Sequence, residues 1–352
     1  MAWFSTGSVH AFLAEAGEFL RSDRVRNTVI LTVTETFRIK GQAPADRPAA
    51  RHAPLFGYWR PVSGQHQVTG AFMHTPGFPV LLTFVGQQAA ADLAGYLAAS
   101  GRLIVGINAP EDSAQAFADA WCQHTEDAAQ VHRRNRLFRL GTLISPAPAP
   151  GGAARLATAR DRGLLIDWIG AFAIEVGDLA TQDHGAAADE RLSYGGITIW
   201  EAEGVPVSIA GVTRVVDSMV RVGPVYTPPA LRGRGYAAGV TVAVSQAALD
   251  AGVTDVLLYT DLANPTSNAL YQRLGYRPVE DRLILCFGAA ARSCAPWLTQ
   301  VIPCWAYMSW RPPAVMVLAG AMEHRAGSGR PEGASSRLAH PAWTKTMEHR
   351  CW

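Results

Sequence analysis

Apolar residues recur at helical spacing from Ser8 to Leu20, where Val9, Phe12, Leu13, Ala16, Phe19 and Leu20 share one side and polar or charged positions fill the other. The pattern predicts an amphipathic helix. It changes at "NTVILTVTETFR" (27–38), a β-branched run read as a strand. Beyond the Pro/Ala-rich stretch "GQAPADRPAARHAP" come three more strand patterns, "LFGYWRP", "QVTGAFMHT" and "FPVLLTFVG". "QQAAADLAGYLAA" returns to a helix and "RLIVGIN" to a strand. "EDSAQAFADAWCQHT" is a helix whose opening acidic residues suit its positive end, and "RLFRLGTLI" is a further strand.

At 145–154 the chain reads "SPAPAPGGAA", which can neither pair in a sheet nor continue a helix and is taken as a linker. Past it, "ARLAT" is a short strand and "RDRGLLIDWIGAFAIEVG" a helix with Leu164, Leu165, Trp168, Ile169 and Phe172 on one side. "TQDHGAAADE" follows as a polar stretch suited to a second helix over a cleft. "YGGITIWEAEGVPVSIAGV" predicts two strands around a tight turn at Glu203 and Gly204, and "SMVRVGPVYT" a third. The helix "AAGVTVAVSQAALDAG" ends at Gly252. The buried strand "VTDVLLYTD", the short helix "PTSNALYQRLG" and the strands "YRPV" and "RLILCF" close the pattern.

With 352 residues there is room for two domains, divided as 1–144, the linker 145–154, and 155–288. The remainder, 289–352, holds five tryptophans, many Pro and Gly and a repeated "MEHR", with no sustained periodicity. It is read as a disordered or loosely packed tail. A net charge of +2 argues against a nucleic-acid partner, so any anion site must be local. The five cysteines show no paired metal-ligand spacing, so no metal is expected. The N-terminus lacks a basic start and carries Glu15 and Glu18 among its apolar residues. No apolar run approaches the roughly 18 residues of a membrane span, and a cytoplasmic protein without a membrane partner is expected.

The stretch "VYTPPALRGRGYAAG" (225–239) carries the chemistry. Pro228 and Pro229 stop a strand, Gly233 and Gly235 allow close backbone approach, Arg232 and Arg234 bring positive charge, and a helix opens near Tyr236. Successive backbone N–H groups at a helix N-terminus suit a pyrophosphate. No P-loop string is present. "GRGYAA" matches a dinucleotide fingerprint formally, but "PPALR" separates it from its strand, and Asp255 precedes the following strand instead of ending it.

"RGRGYA" resembles the RxxGxG/A signature of the GNAT superfamily of acyl-CoA N-acyltransferases at Arg232, Gly235 and Ala237. "NPTSNALYQRLGYRPV" resembles the second signature of that family. The resemblance covers 155 to about 287 and implies acetyl-CoA as co-substrate. Val225, Tyr226 and Thr227 would pair with the pantetheine arm. The backbone of Gly233, Arg234, Gly235, Tyr236, Ala237 and Ala238 would hold the pyrophosphate, and Asn264 and Asn268 would contact the cofactor or order its loop. Tyr271 stands where this family often has a tyrosine that protonates the departing thiolate.

For the base that receives the amine proton, Glu201 at the end of "ITIWE" is the first candidate, with Asp217 and Glu175 behind it. The first half resembles a degenerate GNAT repeat, since "GQQAA" stands at the signature position without arginine. Its role is either one wall of the substrate cleft or structural support. The expected class is therefore α+β: two GNAT-like domains, each a mixed, mostly antiparallel sheet with flanking helices. The expected activity is transfer of an acetyl or other acyl group to a small-molecule or peptide amine by direct attack in a ternary complex. A non-catalytic acyl-CoA sensor is the alternative, and the oligomeric state stays open.

Overall fold

A computed structural model describes residues 2–40, 53–60, 67–176 and 183–288. The tail expected at 289–352 lies outside the described residues.

Strand β1 (Ala2–Thr6), which the sequence pattern does not announce, precedes helix α1 (Val9–Ser22). The Ser8 hydroxyl accepts from Ala11 N at 3.3 Å and caps α1, and Val9, Phe12, Ala16 and Leu20 are its buried side. The strand predicted at 27–38 is instead helix α2 (Thr28–Lys40). Its threonines account for the difference. Thr32, Thr34 and Thr36 donate their hydroxyls to the carbonyls four residues back at 2.8–2.9 Å, so the β-branched polar residues are satisfied inside a helix. Ile30, Leu31 and Val33 then pack into the core, and burial overrides strand propensity.

The chain continues through β2 (Leu55–Arg60), β3 (Gly70–His74), β4 (Val80–Leu82), α3 (Gln87–Ala99), β5 (Gly106–Pro110), α4 (Glu111–Thr125) and β6 (Ala129–Leu140). Strand β7 (Ala153–Leu156) starts inside the predicted linker, where Ala153 and Ala154 pair with the next strand because the prolines and the Gly pair lie before them, and α5 (Arg162–Glu175), α6 (His184–Leu192), β8 (Ile197–Ala202) and β9 (Val205–Val212) follow. The last elements are β10 (Met219–Tyr226), α7 (Tyr236–Asp250), β11 (Asp255–Asp261), α8 (Pro265–Arg273) and β12 (Tyr276–Phe287). The predicted turn between β8 and β9 has Glu203 at φ 53° and Gly204 at φ 76°, the backbone a two-residue hairpin needs.

All twelve strands form one sheet, in the order β1-β2-β3-β4-β5-β12-β6-β11-β10-β9-β8-β7. Read inward from either edge, the pairing sense is the same: three antiparallel pairs, one parallel pair (β4/β5 or β10/β11), then an antiparallel pair. The helices fall in matching connections. Each half ends on a strand seated beside the other half, β6 next to β11 and β12 next to β5, and β6 and β12 pair with each other along their length.

The cores follow this exchange. Leu283, Leu285 and Phe287 of β12 complete the cluster under α3 and α4, where Phe117, Trp121 and Phe287 stack. Leu137, Met219 and Leu257 join Phe12, Ile30 and Phe56 beneath α1 and α2. At one such crossing Asp255, 1% exposed, accepts a hydrogen bond from Arg24 of the first half at 2.7 Å and forms an ion pair with Arg139 of β6 at 2.5 Å. The fold is thus mixed and mostly antiparallel with flanking helices, as the α+β reading expects.

Candidate active site

Strands β10 and β11 run parallel only from Met219 to Arg221, opposite Asp255 to Leu257. Beyond that they part. β10 bulges between Val222 and Val225 and stays with β9, while β11 stays with β6. Pro224 has no N–H for a ladder, which suits the irregularity. The parting opens a cleft of about 730 Å³ whose lining includes Val225, Tyr226 and Thr227, and a contiguous inner pocket of about 160 Å³ that reaches back to Arg221.

At the wide end a short 3₁₀ turn (Pro229–Leu231) leads to Gly233 at φ 78° and Gly235 at φ 81°, left-handed conformations that disfavour a side chain. Gly239 N is the first amide of α7 to close a turn, on Gly235 O at 3.0 Å. Among the described residues, the amides from Gly233 to Ala238 donate to no backbone carbonyl, and the positive end of α7 adds to them. A row of unspent donors on a glycine-opened turn fits a diphosphate. Gly233, Gly235, Tyr236, Ala237 and Ala238 line the cleft. The exposed Arg234 side chain does not.

Arg232 braces the turn. Its Nε donates to Thr227 O at 2.9 Å and its Nη2 to the Glu175 carboxylate of α5. Thr227 also shares a 2.8 Å hydroxyl contact with Ser208 of β9. Asn264 lines the cleft and caps α8, accepting from Ser267 N at 3.0 Å. Asn268 lies off the lining. Its amide donates to Asp261 O and Asn264 O, and its carbonyl accepts from Thr260, which ties α8 to the end of β11.

Tyr271 comes from α8 to the boundary of both cavities. It meets Tyr276 edge-on at 6.0 Å, and burial pushes its hydroxyl pKa up to about 12. The phenol therefore stays protonated at neutral pH. Tyr276 is spoken for by Ser245 Oγ at 2.8 Å.

Glu201 does not reach the cleft. Arg155 holds its carboxylate at 2.7 Å and also pairs with Asp161, whose pKa that contact lowers to about 2. Its carboxylate is engaged at the β7/β8 edge, outside the lining, so the structure does not bring Glu201 to the site. Asp217 faces Arg21 at 3.4 Å and does not line the cleft either. Glu175 does, in its pair with Arg232. The sequence pattern passed over Asp261, at the end of β11, which lines both cavities and receives Ala263 N at 2.8 Å and Arg133 at 3.4 Å. It also passed over Arg133, Arg191, Arg221 and Tyr259 of the inner pocket. None sits in a recognisable motif. The only signal available was Asp261 as the last residue of a predicted strand beside the second signature.

Residues 210–284 match the family model described as FR47-like protein. Among solved structures, the fold is similar to that of a Drosophila protein (13% identity, TM-score 0.57), covering 81% of this chain and 97% of that one. It is also similar to an acetyltransferase of the GNAT family from Colwellia psychrerythraea (11% identity, TM-score 0.50), covering 82% and 100%. No curated protein matches the chain by sequence. The fold is thus similar to that of these structures, and the segment that matches the FR47-like model is the one that bears both signatures. No helix among the described residues is long and apolar enough to cross a membrane, and no group of three or more potential metal ligands occurs among them.

Proposed function

We propose that the chain is an acyl-CoA dependent N-acyltransferase that moves an acetyl group from acetyl-CoA to a primary amine by direct attack in a ternary complex. The observation that carries this is the single cleft in which a parted strand pair, a row of unspent amides and a protonated buried phenol meet. Acetyl-CoA would supply the thioester. The amides of Gly233 to Ala238 would hold its pyrophosphate, and the free edge of Val225 to Thr227 its pantetheine arm. As the N–C bond forms and the C–S bond breaks, the sulfur would leave with the proton of Tyr271 and the nitrogen would give one up to solvent or to a carboxylate of the cleft, and Tyr271 would regain its proton from solvent so that no net proton is gained or lost.

The identical pairing sense of the two half-sheets supports reading 1–144 and 155–288 as two GNAT-like units that have exchanged their last strands. The first unit would then serve as a wall and brace of the catalytic one, since the amides opening α3 follow Gly86 without an arginine-bearing signature.

Two measurements test the function. CoA should bind in a calorimetric titration, and a free-thiol assay with acetyl-CoA should find turnover within a diverse amine library. CoA binding without thiol release from any amine would favour the sensor, and absence of both would end the proposal.

A further inference from the structure

The inner pocket has a pronounced charge imbalance. Arg133, Arg191 and Arg221 line it, and among the described residues Asp261 is its only carboxylate. Arg133 pairs with Asp261 at 3.4 Å and donates to Val176 O at 2.5 Å. Arg191, 1% exposed, donates to Val212 O at 3.2 Å. Arg221 is 5% exposed and, among the described residues, forms no ion pair.

One side of its fork is fully used: Nη1 donates to Thr28 O at 2.9 Å, to Thr28 Oγ1 at 3.3 Å and to Thr32 Oγ1 at 2.6 Å, all on α2. The other terminal nitrogen, Nη2, is buried without a hydrogen-bond partner among the described residues. The Tyr259 hydroxyl, on the lining of the same pocket, is likewise buried without a partner among the described residues. Arg221 is paired with Leu257 across β10/β11, so Tyr259, two residues on, lies on the same face of the sheet as Arg221.

Anchoring α2 to β10 explains Nη1 alone. A neutral donor would anchor it without leaving a buried guanidinium uncompensated, which is among the costlier arrangements in a protein interior. Two unspent donors, one charged, point to an anionic acceptor that arrives with the ligand. A guanidinium edge and a phenol suit a planar carboxylate, and a pocket of about 160 Å³ suits a small one.

We propose that the acceptor is a small amine that carries a carboxylate, held by Arg221 Nη2 and Tyr259 and so oriented with its nitrogen toward the mouth of the pocket at Tyr271. This rests on the acyltransferase reading of the cleft and narrows its substrate class. It also gives the first half a definite part, because α2 sets the angle of the arginine that selects the substrate.

The test uses product-like probes in matched pairs: the N-acetyl derivatives of glycine, alanine and serine, each against its own amide, titrated calorimetrically into the full chain saturated with CoA. At least one acid should bind ten times or more tighter than its amide. That ratio should fall to within twofold of unity in Arg221→Leu and drop severalfold in Tyr259→Phe. Should Arg221→Leu fail to fold, Arg221→Lys and Tyr259→Phe decide, since both keep the local bulk. Acids and amides that bind alike, probes that fail to bind while CoA does, or variants that keep the wild-type ratio overturn this proposal alone. CoA that fails to bind overturns the acyltransferase reading and this proposal with it.

Discussion

Valine at position 235 attacks the anion cradle at the backbone angle on which it depends. Gly235 holds φ 81° as the residue that opens α7, and its ideal Cβ would meet Pro150 Cβ at 3.4 Å, an ordinary contact. Space does not forbid the side chain; the torsion does. A left-handed L-residue costs about 1–2 kcal/mol, and a strained β-branched one up to about 3 kcal/mol. Either the chain holds the angle and loses that stability, or φ relaxes and the amides around Arg234 and Tyr236 swing off the diphosphate. Each charge-assisted hydrogen bond is worth about 1.5–3 kcal/mol, so losing one weakens CoA binding about tenfold to a hundredfold. The assay is calorimetric titration of CoA, with thermal melts to follow folding. Gly195→Val is the matched control. Its φ is 68°, nothing lies within 4 Å of its ideal Cβ, and it sits outside the cleft lining. It should cost similar stability and leave CoA affinity alone. A folded Gly235→Val with wild-type CoA affinity, or a Gly195→Val that weakens CoA equally, refutes the cradle.

Tyr271→Phe should lower kcat by roughly a hundredfold or more while the Kd for CoA stays within twofold. Because burial raises the phenol to about 12, it keeps its proton across the working range. Wild-type kcat should show no descending limb from this group below pH 10, and one that disappears in the phenylalanine variant would contradict the assignment. His74 is fully buried, neither ring nitrogen has a hydrogen-bond partner among the described residues, and burial lowers its pKa to about 3. Its depressed pKa means that its contribution is complete above about 6.5 and lost as the pH falls toward 3, on the order of 5 kcal/mol in all. His74→Phe should therefore flatten the acid side of urea stability against pH, and an unchanged slope would remove His74 as its cause. Asp255→Asn should cost about 3 kcal/mol in urea denaturation, the low end for a broken buried pair because Arg24 and Arg139 are half exposed and recover water. A loss under about 1 kcal/mol would show that this crossing contributes little.

The glycine turn and helix start at 225–239 could be read directly because their geometry is local: backbone torsions and orphan amides are set by a few neighbouring residues. The hairpin at Glu203 and Gly204 and the amphipathic side of α1 were legible for the same reason. So was the short helix α8 that carries Tyr271 to the cleft lining. Helix α2 was not, because its alternating threonines read as a strand until back-bonded hydroxyls and a core beneath them decide otherwise. Glu201 has the right residue type at the right strand end, but a partner 46 positions away holds it elsewhere. The exchange of β6 and β12 lies beyond any local pattern, since nothing in either strand names its neighbour. Arg221 shows the division most clearly. On the chain it is one cation between valines, and only strand pairing, a parted sheet and a helix 189 residues away make it a buried guanidinium with a donor to spare. Periodicity and torsion are properties of neighbours in sequence. Burial, charge compensation and the shape of a cleft belong to neighbours in space, and those the tertiary structure alone decides.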